Sequence, residues 1–195
     1  MSTRIEKEFY FQSAVRFEGK FYLNFYDVKL SMLVETESIR EQNIAMERIE
    51  YFLNHILENS VFVSSNEQSA IEAYEKAGIR VCVTPEDPYD QIVAMIILLK
   101  LNSIIENKLY ITDMLLGSKL SEGVKFTVVP EIASNLFQGD HWWNSPTTNI
   151  SPKGKKRKDK IVKLFDGADW HEIGLSWKEK NKQSVETVFV LDTEK

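Results

Sequence analysis

Residues 9–34 hold two stretches of alternating apolar residues joined by a compact turn, and this pattern constrains the fold more than any other. In the first stretch one face would carry Phe9, Phe11, Ser13, Val15 and Phe17. A period of two is typical of a strand with one buried face. Gly19, in the turn at residues 18–20, can adopt the positive φ that tight turns need. A second strand over residues 21–34 completes a long antiparallel hairpin.

The second strand changes its alternation halfway along. One face would carry Val28, Leu30, Met32 and Val34, whereas the other would carry Phe21, Leu23 and Phe25. One extra residue in a strand moves the following side chains to the opposite face. We therefore predict a bulge or an edge bend near residues 26–27.

The middle of the chain has the signals of two amphipathic helices. Ser38 and Glu41 match a capping box, and apolar residues then recur at helical spacing from Ile44 to Leu57. A second capping pattern begins at Ser65 and predicts a short helix that Gly78 closes. Residues 79–83 then alternate as a short strand.

A third helix is predicted to start at Asp87, with Pro88 in its first turn, and to run to about residue 107. Residues 92–101 are apolar on nearly every face, apart from Lys100. A helix of this kind belongs in the middle of a core or between subunits.

A second hairpin follows, with strands over residues 109–116 and 124–128, and Pro130 ends it. Two hairpins leave one sheet face to be covered, so we expect the helices to pack together on that face. The sequence thus predicts an α+β fold: a four-stranded antiparallel sheet of two hairpins with helices on one face. This body would span residues 1–130, and residues 131–195 would form an extended C-terminal strap.

The element order β-β-α-α-β-β over residues 8–130 resembles the tunnelling fold. Four stretches carry it: FYFQSAVRFEGKFYLNFYDVKLSMLV, IREQNIAMERIEYFLNHIL, DQIVAMIILLKLNSII, and KLYITDMLL with GVKFTVV. The family includes cyclohydrolases, pterin synthases and urate oxidase. The resemblance implies a barrel-like oligomer that binds a purine-like or pterin-like ring between subunits. The sequence also resembles uncharacterised small proteins of tailed phages.

The resemblance implies ring binding through a carboxylate or an amide, which Asp90 or Gln91 would supply. Asp113, a polar residue in an otherwise apolar strand face, is a third candidate, although the sequence favours a bulge or a guard against sheet-edge aggregation as its explanation. Zinc-dependent members need a cluster of histidines or cysteines, and residues 1–130 contain only His55 and Cys82. We therefore expect no metal site and no cofactor.

All four tryptophans fall in the strap: Trp142, Trp143, Trp170 and Trp177. Bulky side chains of this kind rarely stay exposed, and they anchor many protein interfaces. We therefore predict that they bind a neighbouring subunit or a protein partner. Residues 185–191 alternate as well, and would add an edge strand to this sheet or to a neighbour's.

A basic loop at residues 151–160 interrupts the strap, with its charge concentrated in Lys155, Lys156, Arg157 and Lys158. Such a cluster neutralises phosphates in nucleic-acid binders. No aromatic residue lies within it to stack on bases, as single-strand binders require. Residues 1–150 carry 13 basic against 21 acidic residues, a balance of −8. Attraction of the loop to this acidic body is therefore favoured over a nucleic-acid contact.

Composition favours a soluble, cytoplasmic protein (in the host cytoplasm if phage-encoded). The single cysteine, Cys82, excludes an internal disulfide framework. The longest apolar run, residues 92–99, is far shorter than the ~20 residues that span a bilayer.

Two hypotheses from different classes remain. The first is a non-enzymatic, homo-oligomeric binding or assembly protein that uses the strap. The alternative is a metal-free tunnelling-fold protein that binds or converts a purine-like or pterin-like molecule. The sequence favours the first, because it shows a conspicuous strap and no catalytic constellation.

Overall fold

A computed structural model describes residues 3–137, 139, 141–150 and 169–178 of the chain. Its helices and strands follow one another in this order: β1 Arg4–Phe17, β2 Lys20–Val34, α1 Ile39–Tyr51 with a π-helical continuation Phe52–Leu57, β3 Val61–Ser64, α2 Gln68–Lys76, β4 Val81–Thr84, α3 Asp90–Ile105, β5 Leu109–Ser118, β6 Lys125–Val128 and α4 Pro130–Leu136. A single 3-10 turn, Trp142–Asn144, follows. Among these residues, no helix is both long and apolar enough to cross a membrane.

One mixed sheet of six strands, in the order β4-β3-β1-β2-β5-β6, organises the molecule. The two predicted hairpins are confirmed as β1–β2 and β5–β6. The predicted four-stranded antiparallel sheet is wrong, because β3 joins β1 and β4 joins β3, both in parallel. All four residues of β3 are buried. A strand buried on both faces has no alternation, so its sequence lacks the signal that identifies a half-exposed strand.

The predicted bulge at residues 26–27 is also wrong. The pairing of β1 with β2 runs without interruption from Arg4 opposite Leu33 to Phe17 opposite Lys20. The irregularity lies instead between β2 and β5, where Ser31 pairs with Asp113 but Met32 pairs with Ile111. Thr112 is the extra residue, and its hydroxyl donates to the Ser31 carbonyl at 3.1 Å.

Helices cover both faces of the sheet, which corrects the prediction that they pack on one face. The larger core lies under α1 and α3 and includes Phe9 and Leu30. A smaller cluster on the other face joins Ala14 of β1 to Ile71 of α2. We call the part of this second face that α2 leaves uncovered the open face. The helix α2 can lie on this second face because it is the crossover connection between the parallel strands β3 and β4.

The helix α3 occupies the centre of the core, as its apolar composition predicts. It begins at Asp90 after Tyr89, three residues later than Asp87. Tyr89 is extended, and its N–H donates to the Asp87 carbonyl at 2.7 Å. The whole segment from Val93 to Leu101 is buried, including Lys100. The charged Lys100 therefore needs partners inside the protein.

The strap is not wholly extended. Pro130 is the first residue of α4, so it begins a helix and does not only end the hairpin. Trp142, Trp143, Ile150 and Trp170 belong to the same apolar core as α1 and α3. The predicted division between a body and a strap stays a prediction.

Candidate functional site

The open face exposes an unusual row of apolar side chains. Phe21, Leu23 and Phe25 of β2 are 54%, 50% and 45% exposed, and Tyr10 of β1 is 68% exposed. Contiguous apolar patches on a soluble protein commonly mark a binding surface. The alternation of Phe21, Leu23 and Phe25 suggested a bulge, but these side chains instead face away from the core on a strand that pairs with β1 without interruption.

A depression of about 390 Å³ lies at one end of this row. Its lining residues come from β1, β2 and the residue that follows the π-helical turn: Tyr10, Phe11, Gln12, Phe25, Tyr26, Asp27 and Glu58. The exposed rings are those of Tyr10 and Phe25, since Phe11 and Tyr26 belong to the core. The depression therefore offers two aromatic surfaces to a ligand.

Glu58 is held at the border of this depression by the edge of β1. Its carboxylate accepts a hydrogen bond from the N–H of Gln12 at 2.7 Å, and the N–H of Asn59 donates to the Gln12 carbonyl at 2.9 Å. Beyond this point β3 takes over the edge, beginning opposite Ala14. The π-helical turn thus ends where it can place a carboxylate beside the aromatic rings.

Charged groups of both signs surround the depression. Asp27 binds the ammonium of Lys125 and lies against Gly117, where a larger residue would clash with the carboxylate. Lys119 places its Nζ 5.5 Å from the centroid of the Phe25 ring. A ligand here would meet carboxylate acceptors, ammonium donors and the amide of Gln12.

The predicted ligand residue Asp90 lies elsewhere, in the first turn of α3 on the covered face. Its carboxylate accepts a hydrogen bond from the Ser118 hydroxyl at 2.6 Å. Burial raises the pKa of Asp90, and the hydroxyls of Ser118 and Ser121 oppose this effect. Gln91, the next residue, is exposed.

Asp113 points to the open face and does not approach Asp90. It pairs with Ser31 across the sheet and lies 3.6 Å from the guanidinium of Arg4. Its position beside the extra residue Thr112 matches the bulge interpretation of this carboxylate. The structure therefore does not bring the three predicted ligand residues into one site.

Trp142 and Trp143 pack on the chain's own core. They are 6% and 3% exposed, and their rings meet at 5.6 Å in an edge-to-face arrangement. The indole of Trp142 donates to the Val83 carbonyl at 2.9 Å. The turn that holds both rings lies against α3, and the hydroxyl of Ser103 donates to the Trp143 carbonyl at 3.1 Å.

Lys100 organises the loop that follows these tryptophans. Its ammonium donates to four carbonyl oxygens, those of Trp142, Ser145, Thr147 and Asn149, at 2.9, 2.8, 2.7 and 3.3 Å. We call these four groups the carbonyl cage. Burial lowers the pKa of Lys100 to about 7. The cage offsets part of the cost of burying the ammonium, because its oxygen dipoles favour the charged form.

Trp170 and Trp177 hold a second internal cation. The Arg48 guanidinium lies 4.6 Å from the Trp170 ring and 3.8 Å from the Trp177 ring. It also donates at 2.8 Å to the Leu175 carbonyl, the Ile104 carbonyl and the Glu106 carboxylate.

Residues 169–178 therefore dock in cis onto α1 and the end of α3. All four tryptophans make contacts within the chain, and the partner role predicted for them stays a prediction.

Two further predictions fall outside the described residues: the basic cluster at residues 155–158 and the alternating segment 185–191. Within the described part of the chain, no group of three or more His, Cys, Asp or Glu side chains is placed to hold a metal ion.

Comparison with known proteins gives structural likenesses only. No protein-family model matches the sequence, and no curated protein matches it. An uncharacterized protein from Wolinella succinogenes is similar in structure, with a TM-score of 0.46 and 11% identity, over 66% of this chain and 98% of that chain.

Two structures of 6-pyruvoyltetrahydropterin synthase from Plasmodium vivax are also similar. The catalytic-residue mutant has a TM-score of 0.43 and 13% identity, and the other structure has 0.41 and 12%. Both likenesses cover 66% of this chain and 97% of the other. The predicted likeness to phage proteins stays a prediction.

Proposed function

We propose that this protein binds a flat, polar heterocycle of the purine-like or pterin-like class in the depression on the open face, without a metal. One observation carries the proposal: Tyr10 and Phe25 expose aromatic rings beside the carboxylate of Glu58 in a depression of about 390 Å³. Ligand sites of this size usually combine apolar walls with a few polar groups that set the ligand's orientation.

The chemistry of the lining favours a heterocycle over an aliphatic or a strongly charged ligand. Stacking needs a planar partner, which the two rings would contact through their faces. Glu58 and Asp27 accept hydrogen bonds, while Gln12 and Lys119 can donate them. Ring nitrogens, carbonyls and amino groups supply both kinds of partner within one small molecule. The proposal concerns binding and assigns no reaction.

Tyr10→Ala is expected to weaken the binding of a soluble pterin probe by about 10- to 100-fold, since stacking on an aromatic side chain contributes ~1–3 kcal/mol. Tyr10 is well exposed, so its removal should leave the fold intact. Isothermal titration of the full chain with pterin, and separately with guanosine, measures the dissociation constants.

Tyr110→Ala provides the matched control. Tyr110 is also partly exposed, but it lies on β5 and its hydroxyl donates to Glu131. Its removal should leave the pterin affinity unchanged. An equal loss of pterin affinity in Tyr10→Ala and Tyr110→Ala would exclude this site as the ligand's location. The absence of any heat of binding when the wild-type chain is titrated with either probe would exclude it as well.

A second candidate function is homo-oligomeric assembly, and an open strand edge favours it. Residues 4–11 of β1 pair with β2 on one side, while within the described residues no strand lies on the other side. The backbone groups of even-numbered residues face that edge, as the contacts of Gln12 and Ala14 show. Unpaired strand edges readily pair with another chain.

Glu8→Pro tests this candidate, because proline removes one N–H from the open edge and leaves the pairing with β2 in place. If copies pair along this edge, native mass spectrometry should show the wild-type oligomer and a loss of subunits in the Pro variant. Glu8→Ala keeps the N–H and should retain the oligomer. A monomeric wild-type chain, or an oligomer that survives Glu8→Pro unchanged, would rule out assembly through β1.

A further inference from the structure

A buried polar cluster joins the N-terminus of α3 to the sheet, on the face opposite the depression's exposed rings. Asn24 and Tyr26 of β2 point to the covered face, and Ser118 of β5 pairs with Tyr26. Asp90 reaches this point from α3 and accepts its hydrogen bond from Ser118. Tyr26 also belongs to the lining of the depression, but the exposed rings of Tyr10 and Phe25 lie on the other face of the sheet.

Two of its polar atoms lack a partner within the described residues. They are the hydroxyl of Tyr26 and the amide nitrogen of Asn24, on side chains that are only 2% and 1% exposed. The amide oxygen of Asn24 is fixed, since it accepts hydrogen bonds from the N–H groups of Phe25 at 3.0 Å and Leu120 at 3.2 Å. The amide nitrogen is therefore oriented away from these two backbone groups.

The strand pairing brings the unpartnered groups close to Asp90: Tyr26 lies opposite Ser118, whose hydroxyl donates to Asp90 at 2.6 Å. Asn24, two residues before Tyr26 on the same face, binds the N–H of Leu120 just beyond Ser118. Burial raises the pKa of the Tyr26 phenol, and the charge of Asp90 raises it further. The Asn24 side chain, which lies two residues away on the same face of β2, opposes this effect on the pKa. A phenol, an amide nitrogen and a carboxylate thus converge on one small volume.

The charges of this cluster select the kind of molecule that fits it. The amide nitrogen and the phenol are donors, so they oppose a cation, while the Asp90 carboxylate opposes an anion. A neutral molecule that accepts two hydrogen bonds and donates at least one satisfies all three groups. Water does so, and internal waters typically have two to four polar partners of this kind.

We propose that Asn24, Tyr26 and Asp90 hold one internal water molecule that bridges the first turn of α3 to β2. The water accepts from the Asn24 amide and the Tyr26 hydroxyl and donates to the Asp90 carboxylate. The bridge satisfies two buried groups that would otherwise destabilise the folded state.

A high-resolution crystal structure of the full chain tests the proposal directly. The expected result is an ordered peak of density within hydrogen-bonding distance of all three groups. A direct hydrogen bond between the Asn24 amide and the Tyr26 hydroxyl, with no density between them and Asp90, would overturn it.

The change in stability caused by Tyr26→Phe provides a second test. The sign of this change depends on whether a water binds the hydroxyl or the hydroxyl has no partner. If a bridging water binds the hydroxyl, its removal should raise the unfolding equilibrium constant about tenfold. If the hydroxyl has no partner, its removal should instead lower that constant. Tyr22→Phe, on the same strand and the same face but outside the cluster, is the matched control, and chemical denaturation measures both variants.

Discussion

Lys100→Ala is expected to lower the free energy of unfolding by about 4 kcal/mol, one of the two largest losses we predict. The substitution removes a fully buried side chain from the middle of α3 and leaves the carbonyl cage without its ammonium. The cage carbonyls belong to the loop that carries Trp142 and Trp143, so the packing of both rings should loosen as well. Denaturant unfolding measures the loss, and hydrogen exchange at residues 141–150 shows where it falls.

Lys100→Met separates the two contributions. Methionine keeps most of the apolar stem but supplies no donor to the carbonyl cage. We expect a loss between that of the Ala variant and zero, with faster exchange confined to the loop. A Met variant as stable as the wild-type protein would show that the cage makes no net contribution.

Arg48→Ala is expected to lower the free energy of unfolding by about 3–5 kcal/mol. The substitution removes a buried charge that binds a carboxylate, two carbonyls and two indole rings. Without the guanidinium, Trp170 and Trp177 lose the group that lies between them. Residues 169–178 should then leave the surface of α1 and become sensitive to protease. Denaturant unfolding and limited proteolysis of the full chain report the two effects.

Arg40→Ala is the matched control for this prediction. Arg40 also donates to the strap, through the carbonyls of Trp177 at 2.7 Å and Ser176 at 3.3 Å, but it is exposed. We expect a loss below about 1 kcal/mol, because exposed charged contacts contribute little. Comparable losses in both variants would contradict a special role for the buried Arg48.

The sequence predicts well those elements that have a clear local pattern, such as an apolar–polar alternation, a capping residue or a long apolar run. The β1–β2 hairpin has one face in the core and one in solvent, so its alternation is visible. The cap at Ser38 is local chemistry, and its hydroxyl accepts from the Glu41 N–H as the sequence predicts. The helix α3 is recognisable because apolar residues continue for several turns.

The parallel part of the sheet is missed for a physical reason. Residues of β3 are buried on both faces, and four residues are too few to show any period. Without β3, the short strand β4 has no partner, and α2 has no reason to lie on the opposite face. One unrecognised strand therefore accounts for the errors in strand number, pairing direction and helix placement.

The candidate site has a sequence signal that admits two interpretations. Phe21, Leu23 and Phe25 break the alternation of β2, and a bulge would return them to the core. The structure keeps the strand regular and leaves these side chains on the open face. For Asp90 and Asp113 the sequence favours local explanations, a helix N-terminus and a bulge, over a ligand. Glu58 enters the site only through the π-helical turn, which has no clear sequence pattern.

The position of the ligand on the open face is the central claim, and NMR chemical-shift mapping of the full chain tests it most directly. Addition of pterin should shift the backbone resonances of Tyr10, Gln12, Phe25, Asp27 and Glu58, while those near Lys100 and Arg48 stay in place. Shifts confined to the cluster around Asp90 and Ser118, or no shifts at all, would contradict the claim.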